Sequence, residues 1–428
     1  MSTTVTLTNQ LMAVVGAEHL VEHDESRSIY GHLPVCSVVP ADVEELSAVL
    51  AICHEARMGV VPWGGGTHQR WGGMPHGPFV AVQTNRLNRV LVYEPDDLTI
   101  SLQAGMRLAD VNATLAANNQ MLPLDVALPE RATIGGALAT AVDGPRRLGY
   151  GTARDLLIGI QVVEATGRIS KAGGMVVKNV SGYDMMKLYL GSLGSLAIIV
   201  SANFKLMPLP RTRAGILATF ATPAAAFVLV DAIHASQLTP VAVEYIQGEP
   251  IGNAAPTVAI WAEGLSAAVE RHIRDLESMA RQAGAAQYRV LRDDEHTAMW
   301  AEIVDLARID QSGEDELMVR LACLPAELPV ALDQIAGVAA SRKLKLRIAA
   351  RALNGVAYLR LNGAVDGLHA AHSAILKYQP HLTILGAPHD LLAALPVWGR
   401  DLPNLDLMRR IKQEFDPQNT MNPGRFVV

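Results

Sequence analysis

The sequence predicts an α+β protein built in two parts, and three observations support this fold class. The first half alternates short apolar strands with helices and places glycine-rich loops directly after strands. After Pro208-Leu209-Pro210 glycine becomes sparser, and strands alternate with long amphipathic helices. The chain has 428 residues, of which 50% are hydrophobic and 18% charged, so it is long enough for two or three globular domains.

Composition argues against several classes of protein. The net charge is −6 and aromatic residues make up only 5%, with no basic run, which disfavours nucleic-acid binding. Cys36, Cys53 and Cys323 lie far apart, so a cysteine-based zinc site or iron–sulfur cluster in this chain is not expected. The first residues lack a signal-peptide pattern, and the longest apolar run, 214–230, is interrupted by Pro223. We therefore expect a soluble cytoplasmic protein without a transmembrane segment, which partner subunits could attach to a membrane.

In the first half, apolar runs predict strands and helical periodicity predicts two helices. The strands are expected at 37–40, 59–63, 80–82, 90–93, 98–102, 156–163 and 195–204. The helices are expected at 43–56, with Asp42 as N-cap, and at 108–118. Between 123 and 150 the chain is rich in glycine, proline, alanine and threonine with little periodicity, which is typical of a ligand-binding backbone or a surface loop.

In the second half, the pattern predicts a mainly antiparallel sheet with helices covering one face. The strands are expected at 215–220, 241–246, 257–262, 288–291, 317–322, 347–350, 356–361 and 381–385. The helices are expected at 266–282, 326–341, 367–378 and 405–415, and another begins at Pro223 with Thr222 as N-cap.

Three segments carry the chemistry. Residues 63–68 (WGGGTH) directly follow a strand, and consecutive glycines let backbone amides converge on a phosphate. An ordinary tight turn is the alternative for these glycines alone, and neither a Walker loop nor GxGxxG is present. Residues 132–140 (ATIGGALAT) and 178–199 (KNVSGYDMMKLYLGSLGSLAII) add small residues that allow a flat ligand to lie against the backbone.

In this order, with GPRRLGYGTARDLLIGI (144–160) and DPQNTMNPGRF (416–426), these motifs resemble the FAD-linked oxidases with a vanillyl-alcohol-oxidase (PCMH) type of flavin domain. Within that family they are most similar to the FAD-binding subunits of bacterial glycolate oxidases. The resemblance implies an N-terminal segment at 1–34 and a two-subdomain PCMH-type FAD-binding domain at 35–210. It also implies an α+β cap domain at 211–400, and a helix and tail at 401–428 that return to the FAD domain.

The resemblance also implies which residues would bind FAD. Main-chain groups of the glycine loop would hold the diphosphate, and the other segments would follow the ribityl, isoalloxazine and adenine parts. The implied cofactor-binding residues are Gly64, Gly65, Gly66, Thr67, His68, Pro129, Thr133, Gly136, Thr140, Gly144, Gly194, Ser195 and Ile199. Some relatives bond flavin covalently to a histidine immediately after the glycines. Thr67 holds that position here, so non-covalent FAD is favoured over attachment at His68.

The sequence indicates no catalytic residue. Relatives that oxidise 2-hydroxy acids alone carry a His-x-Gly-x-Gly-Asn-x-His motif with a metal nearby, and no histidine of the second half lies in such a frame. His369 and His372 share a helix face, but no third ligand is spaced to complete a metal site, so two solvated histidines are expected. Arg347, Arg351 and Arg360 could bind a carboxylate, although surface arginines are commoner.

The missing histidines lead to a hypothesis about partners. The resemblance implies a heteromeric glycolate (2-hydroxy acid) oxidase in which this chain is an auxiliary FAD-binding subunit. A separate catalytic flavin subunit and an iron–sulfur subunit would then complete the enzyme. Two alternatives stay open: a self-contained FAD-dependent 2-hydroxy-acid dehydrogenase, and a scaffold that keeps the fold without flavin.

Overall fold

The computed structural model describes residues 2–176, 183–249, 251–310, 313 and 315–428. The helices of the first half are α1 (Ser2–Val15), α2 (Val43–Glu55), α3 (Leu108–Ala116), α4 (Ile134–Thr140), α5 (Arg147–Tyr150), α6 (Ala153–Leu156) and α7 (Met186–Tyr189). Its strands are β1 (Leu20–Glu22), β2 (Cys36–Val38), β3 (Gly59–Trp63), β4 (Phe79–Gln83), β5 (Val90–Glu94), β6 (Thr99–Gln103), β7 (Gln120–Met121), β8 (Leu157–Glu164), β9 (Ile169–Gly173), β10 (Ala197–Lys205) and β11 (Met207–Pro208).

Two sheets form the frame of this half. The first has the order β1-β2-β4-β3, with β4 parallel to both β2 and β3. The second is antiparallel, with the order β5-β6-β10-β8-β9. Helices α1 and α2 share one apolar core with both sheets, in which Leu46 and Leu50 pack in the same cluster as Val163 and Val200. This core holds the two sheets together, so the loops at their ends have fixed positions.

Local sequence accounts for the elements that were predicted correctly. The Asp42 side chain accepts a hydrogen bond from Glu45 N at 2.8 Å and starts α2, as expected. The structure differs between 123 and 150, where α4 and α5 form although no helical periodicity is visible. Helix α4 has only seven residues and buries just two large apolar side chains, Ile134 and Leu138, so it is too short for its periodicity to be recognised. Helix α1 was also not predicted.

The second half supplies the remaining elements. Its helices are α8 (Pro223–His234), α9 (Ser266–Gln282), α10 (Asp293–Asp305), α11 (Leu328–Ser341), α12 (Val365–Ile375), α13 (His389–Ala394) and α14 (Leu405–Phe415). Its strands are β12 (Thr212–Thr219), β13 (Ala242–Gln247), β14 (Thr257–Gly264), β15 (Gln287–Arg292), β16 (Glu316–Ala322), β17 (Lys345–Arg351), β18 (Val356–Asn362) and β19 (Thr383–Gly386). Thr222 caps α8 and Pro223 occupies its first turn, as predicted.

These strands form an eight-stranded sheet in the order β15-β12-β14-β13-β17-β18-β16-β19, with antiparallel pairs throughout. Helices α8, α9, α11 and α12 pack on one face, which confirms the predicted antiparallel architecture. The expectation of helices on one face alone is wrong, because α10 packs on the opposite face. There Trp300 of α10 contacts Trp261 of β14, with ring centroids 4.9 Å apart.

Contacts between the halves position the site. Arg351 of β17 is 3% exposed, its Nη2 donates to Asp143 O at 2.8 Å, and its Nε lies 3.2 Å from Asp143 Oδ1. The tail after α14 returns to the first sheet, where Asn422 N donates to Val60 O at 2.7 Å. Lys412 of α14 donates to Ser195 O at 2.8 Å and to Asp416 Oδ2 at 2.7 Å. Three distant parts of the chain are thereby brought to one end of the first half.

Among the residues that the structure describes, no helix combines the length and the apolarity needed to cross a bilayer.

Candidate FAD-binding site

The glycine loop (residues 63–68) lies against residues 131–133, and the absence of side chains at its glycines lets the two main-chain segments approach each other closely. A Cβ on Gly65 would come within 1.8 Å of Arg131 O, and one on Gly64 within 2.2 Å of Thr133 Oγ1. Gly66 has φ +71°, which side-chain-bearing residues rarely adopt. Larger residues at these positions would push the loop away from 131–133 and widen or close the space between them.

The amides of this loop are available to a ligand. In the described part of the chain, no acceptor takes a hydrogen bond from the backbone N–H groups of residues 64–68. The Thr67 side chain is buried, and its Oγ1 lies 3.0 Å from His68 Nδ1. Consecutive free amides in a turn form a concave site for an anion. This loop therefore has the donors that a diphosphate requires.

The second wall of the cleft is α4. Thr133 caps this helix through a hydrogen bond from Gly136 N to its Oγ1, at 3.3 Å, and Thr140 Oγ1 donates to Gly136 O at 2.8 Å. Gly135 packs on the main chain and Cβ of Ala104, where an added Cβ would come within 2.8 Å. Because the exposed face carries only small side chains, it leaves a flat surface beside the glycine loop.

The third wall is formed by residues 193–199, which comprise the segment before β10 and the first residues of that strand. Leu193 N donates to Ala139 O at 2.8 Å, which joins this wall to α4. Gly194 has φ +69°, and a Cβ there would lie 2.7 Å from Pro62 Cγ. Residues 178–182 of the corresponding sequence motif lie outside the described residues. The wall is thus again defined by backbone and by a glycine that permits close packing.

The C-terminal tail closes the cleft, and this contribution was not predicted. Asn422 Nδ2 donates to Leu193 O at 2.5 Å, while its buried Oδ1 has no hydrogen-bond partner among the described residues. Arg425 is 2% exposed and also lines the cleft. The motif DPQNTMNPGRF was recognised as part of a family pattern, but nothing local in it shows that these two side chains reach the glycine loop.

The three walls and the tail line a cleft of about 740 Å³, a volume that includes its opening to solvent. Ten of the predicted cofactor residues line it: Gly64, Gly65, Gly66, Thr67, His68, Thr133, Gly136, Thr140, Gly194 and Ile199. Three do not. Pro129 lines a separate pocket next to α10, Gly144 packs against Asp125, and Ser195 is 1% exposed with Oγ unpartnered within the described structure.

His68 stands where the cleft meets a second pocket. It is half-buried, and burial lowers its pKa to about 4, an effect that the Asp310 carboxylate only partly opposes. The imidazole is therefore neutral at pH 7. Non-covalent binding of flavin, rather than covalent attachment at His68, stays a prediction.

The second pocket, of about 660 Å³ with its opening to solvent included, lies between the cleft and the eight-stranded sheet. It shares His68, Trp71 and Thr140 with the cleft and is also lined by Arg320 and Tyr358. Arg320 lies on the sheet face opposite α11, since its neighbours Val319 and Leu321 belong to the core beneath the helices. It is half-buried and has no ion-pair partner in the described residues, so it offers a free guanidinium beside the cleft. Sequence reasoning missed this residue.

The three arginines that the sequence analysis offered as carboxylate-binding residues already form ion pairs within the protein. Arg351 is buried against Asp143, which corrects the expectation of a surface residue. Arg360 Nη1 and Arg347 Nη2 lie 2.5 and 3.2 Å from the two oxygens of Glu316, which is buried. Their sequence positions show alternation on a strand, but not the carboxylates that the packing brings opposite them.

The predicted pair of solvated histidines is also wrong in part. His369 is exposed, whereas His372 is fully buried and packs in the core between α12 and the sheet, where burial lowers its pKa to about 4. The helix turns His372 inward beside Leu368 and Ile375. In the described residues, no group of three or more histidine, cysteine or acidic side chains is arranged to bind a metal.

Comparison with known proteins agrees with the geometry. The profile of the FAD binding domain matches residues 34–173, and that of the FAD linked oxidases, C-terminal domain, matches residues 400–426. Together the two matches include the glycine loop, α4 and the tail.

Relatives match over different lengths. Glycolate oxidase subunit GlcD of Bacillus subtilis (strain 168) is 26% identical and is aligned over 97% of this chain and 96% of its own. Glycolate oxidase subunit GlcE of Escherichia coli (strain K12) is 38% identical over 29% of this chain and 37% of its own. D-lactate dehydrogenase of Anaerostipes hadrus is 30% identical over 54% of this chain and 48% of its own.

The fold agrees with solved flavoenzyme structures. p-Cresol methylhydroxylase with substrate bound superposes with a TM-score of 0.75, covering 99% of this chain and 97% of that one at 15% identity. The free amides of residues 64–68, the glycine contacts and the flat α4 face fit a nucleotide-linked flavin. Residues 34–173 are therefore an FAD binding domain, residues 400–426 match the C-terminal domain of the FAD linked oxidases, and the chain has the fold of p-cresol methylhydroxylase. It is an oxidoreductase that takes FAD as its cofactor.

Proposed function

We propose that this chain is the FAD-binding subunit of a heteromeric 2-hydroxy-acid oxidoreductase, with glycolate as the favoured substrate. A separate catalytic flavin subunit and an iron–sulfur subunit would complete the enzyme. The similarity to glycolate oxidase subunits GlcD and GlcE and to a D-lactate dehydrogenase supports the substrate class.

Bound FAD would supply the acceptor for the hydride that leaves the hydroxyl-bearing carbon of the acid. The chain's own residues would perform the binding. The amides of residues 64–68 would hold the diphosphate, while the small side chains of α4 and the 193–199 segment would place the flavin next to the second pocket. Because these are mainly backbone groups in a rigid frame, the flavin would be oriented without depending on side-chain chemistry.

The observation that carries the auxiliary role is the second pocket, which has a cation but lacks an effective base. Oxidation of a 2-hydroxy acid needs a group that takes the hydroxyl proton and a cation for the carboxylate. Among the described residues that line this pocket, Arg320 can supply the cation. None of these lining residues is an aspartate or a glutamate. His68 has a pKa of about 4 and accepts a proton poorly at pH 7.

A self-contained 2-hydroxy-acid dehydrogenase is the second candidate, and one observation favours it. The guanidinium of Arg320 is unpaired within the described structure and faces a pocket continuous with the cleft, which is the arrangement that a substrate carboxylate needs. In this case a proton acceptor would have to come from an unfamiliar residue or from water.

The deciding experiment is the visible spectrum of the chain purified alone, followed anaerobically while glycolate and then D-lactate are added. We expect a flavin spectrum that does not bleach, and bleaching only once the partner subunits are supplied. Rapid bleaching of the isolated chain would contradict the auxiliary role and establish the second candidate. If no flavin is retained even after FAD is supplied, the chain is a scaffold.

A variant pair tests whether Arg320 contacts substrate. The variants are measured in the preparation whose flavin is bleached by glycolate, either the isolated chain or the complex. Arg320→Met should raise the glycolate concentration needed for half-maximal bleaching by about 100-fold, since a charge-assisted contact to a carboxylate is lost. Arg271→Met is the control, because Arg271 carries the same charge on exposed α9, across the sheet from the pocket. Equal behaviour of both variants would place the substrate elsewhere in the complex.

A further inference from the structure

Arg425 is a buried cation whose described partners include no carboxylate. Its Nη1 donates to Gly73 O at 2.5 Å, and its Nη2 donates to Gln69 O and Trp71 O at 2.6 and 2.7 Å. Its Nε is buried and has no partner in the residues that the structure describes. The side chain is 2% exposed, so water does not solvate the charge.

Such an arrangement is electrostatically incomplete. Moving a guanidinium out of water is costly unless charges of opposite sign or many dipoles compensate it. Three carbonyl dipoles provide part of that compensation. Burial still lowers the pKa of Arg425 to about 10, opposed only weakly by the neighbouring Tyr30. An anion near this position would complete the compensation.

The position of Arg425 indicates which anion that is. The three carbonyls that it binds belong to residues 69–73, the turn that directly follows the glycine loop. Among the described residues lining the FAD cleft, Arg425 is the one lysine or arginine, and no aspartate or glutamate lines it. The cleft thus combines free amides at residues 64–68 with a single fixed positive charge behind them.

We propose that Arg425 is a positioning residue that supplies the counter-charge for the anionic part of FAD. It acts in two ways. First, its guanidinium binds the carbonyls of residues 69, 71 and 73 and so keeps these oxygens directed toward Arg425. Second, its positive charge adds to the positive electrostatic potential of the amides of residues 64–68, in a site from which water is excluded. The C-terminal tail therefore contributes to cofactor affinity from a place more than 350 residues away in sequence.

The experiment measures ligand binding by the full-length flavin-free chain, by calorimetry. FAD, ADP and riboflavin are titrated into wild type, Arg425→Gln and Arg425→Lys. ADP carries the diphosphate without the isoalloxazine, and riboflavin carries the isoalloxazine without the phosphates. The control variant is Arg70→Gln, which removes the same charge from an arginine that also binds a backbone carbonyl, Ala387 O at 3.2 Å, but does not line the cleft.

We expect Arg425→Gln to weaken FAD and ADP binding by about 10- to 100-fold and to leave riboflavin binding within about twofold. Arg425→Lys keeps the charge but loses the planar fork, and should retain most of the ADP affinity. Arg70→Gln should bind all three ligands like wild type.

Three outcomes would overturn the proposal. Equal weakening of ADP and riboflavin in Arg425→Gln would mean that Arg425 only holds the tail and turn in place. If Arg425→Gln does not fold, Arg425→Lys decides: a fall of about tenfold or more in both ADP and riboflavin affinity, although the charge is kept, would again show a purely structural role. Retained FAD binding by Arg425→Gln, with ADP unchanged, would exclude any role of the charge in binding the cofactor.

Discussion

The cleft of the first half and the adjoining pocket of the second half are built by different means. The cleft presents backbone amides and small residues, and its glycines touch neighbouring main chain so closely that Gly65 leaves no room for a Cβ. The wall formed by the eight-stranded sheet presents side chains such as Arg320, and ion pairs such as Glu316 with Arg360 hold other charges away. A backbone site depends on where small residues stand along the chain. A side-chain site depends on which residues the packing brings opposite one another.

The largest effect is expected from Gly65→Ala. A methyl group there would meet Arg131 O at 1.8 Å, so the glycine loop must move away from residues 131–133. We expect loss of FAD binding, measured as the ratio of flavin absorbance at 450 nm to protein, while the rest of the fold remains. Full flavin occupancy in this variant would show that the loop can shift without harm, and would remove the contrast between the two regions.

The next effect is on stability, through Arg351→Met. This substitution removes the partner that buried Asp143 has in the second half and leaves it, among the described residues, only Arg147, 2.5 Å away, in the first half. Because Arg147 still compensates part of the charge, we expect the free energy of unfolding to fall by about 3 kcal/mol, the lower end for breaking a buried pair. The measurement is urea unfolding followed by circular dichroism. Arg292→Met is the control, since its pair with Glu270 is exposed on both sides and should contribute little. Similar losses in the two variants would mean that the buried pair does not join the halves.

The third effect depends on pH. Burial raises the pKa of Glu244 to about 7, although Arg351 nearby opposes this shift. Between the unfolded value of about 4.5 and pH 7 the native state binds more protons than the unfolded state, so this group makes stability fall as pH rises. The unfolding free energy of Glu244→Gln minus that of wild type should therefore increase from pH 5 to pH 8, because only wild type loses this contribution. Unfolding free energies at these two pH values test this, with exposed Glu302→Gln as control; an unchanged difference would contradict it.

The smallest effect is expected from Gly337→Ala in α11. A Cβ there meets no atom within 4 Å, and the residue is exposed inside a helix. The substitution should stabilise the protein by about 1 kcal/mol, because alanine loses less backbone entropy than glycine. Thermal unfolding measures it, and FAD content should stay at the wild-type level. A loss of flavin here would mean that glycine substitutions act through general destabilisation rather than through the loop.

Most strands and the long helices could be predicted because their information is local. The start of α2 at Asp42 and of α8 at Thr222 follows from capping chemistry within three residues. Helix α4 was missed because its apolar face consists of only two large residues, Ile134 and Leu138, within seven residues that include two glycines. The expectation that His372 is solvated was wrong. His369 and His372 are the same residue type on one helix, and only the packing of α12 on the sheet exposes the first and buries the second.

By itself, the sequence determined the α+β class and the motifs that resemble the FAD-linked oxidases, because strand-then-glycine patterns are written in consecutive residues. Tertiary structure alone decided that Asn422 and Arg425 line the cleft, that Arg320 rather than Arg351 faces the adjoining pocket, and that Pro129, Gly144 and Ser195 lie outside the cleft. The physical reason is range. Backbone conformation and capping act over a few residues, whereas the environment of a charged side chain is set by chain segments that meet only when the sheets and the tail pack together.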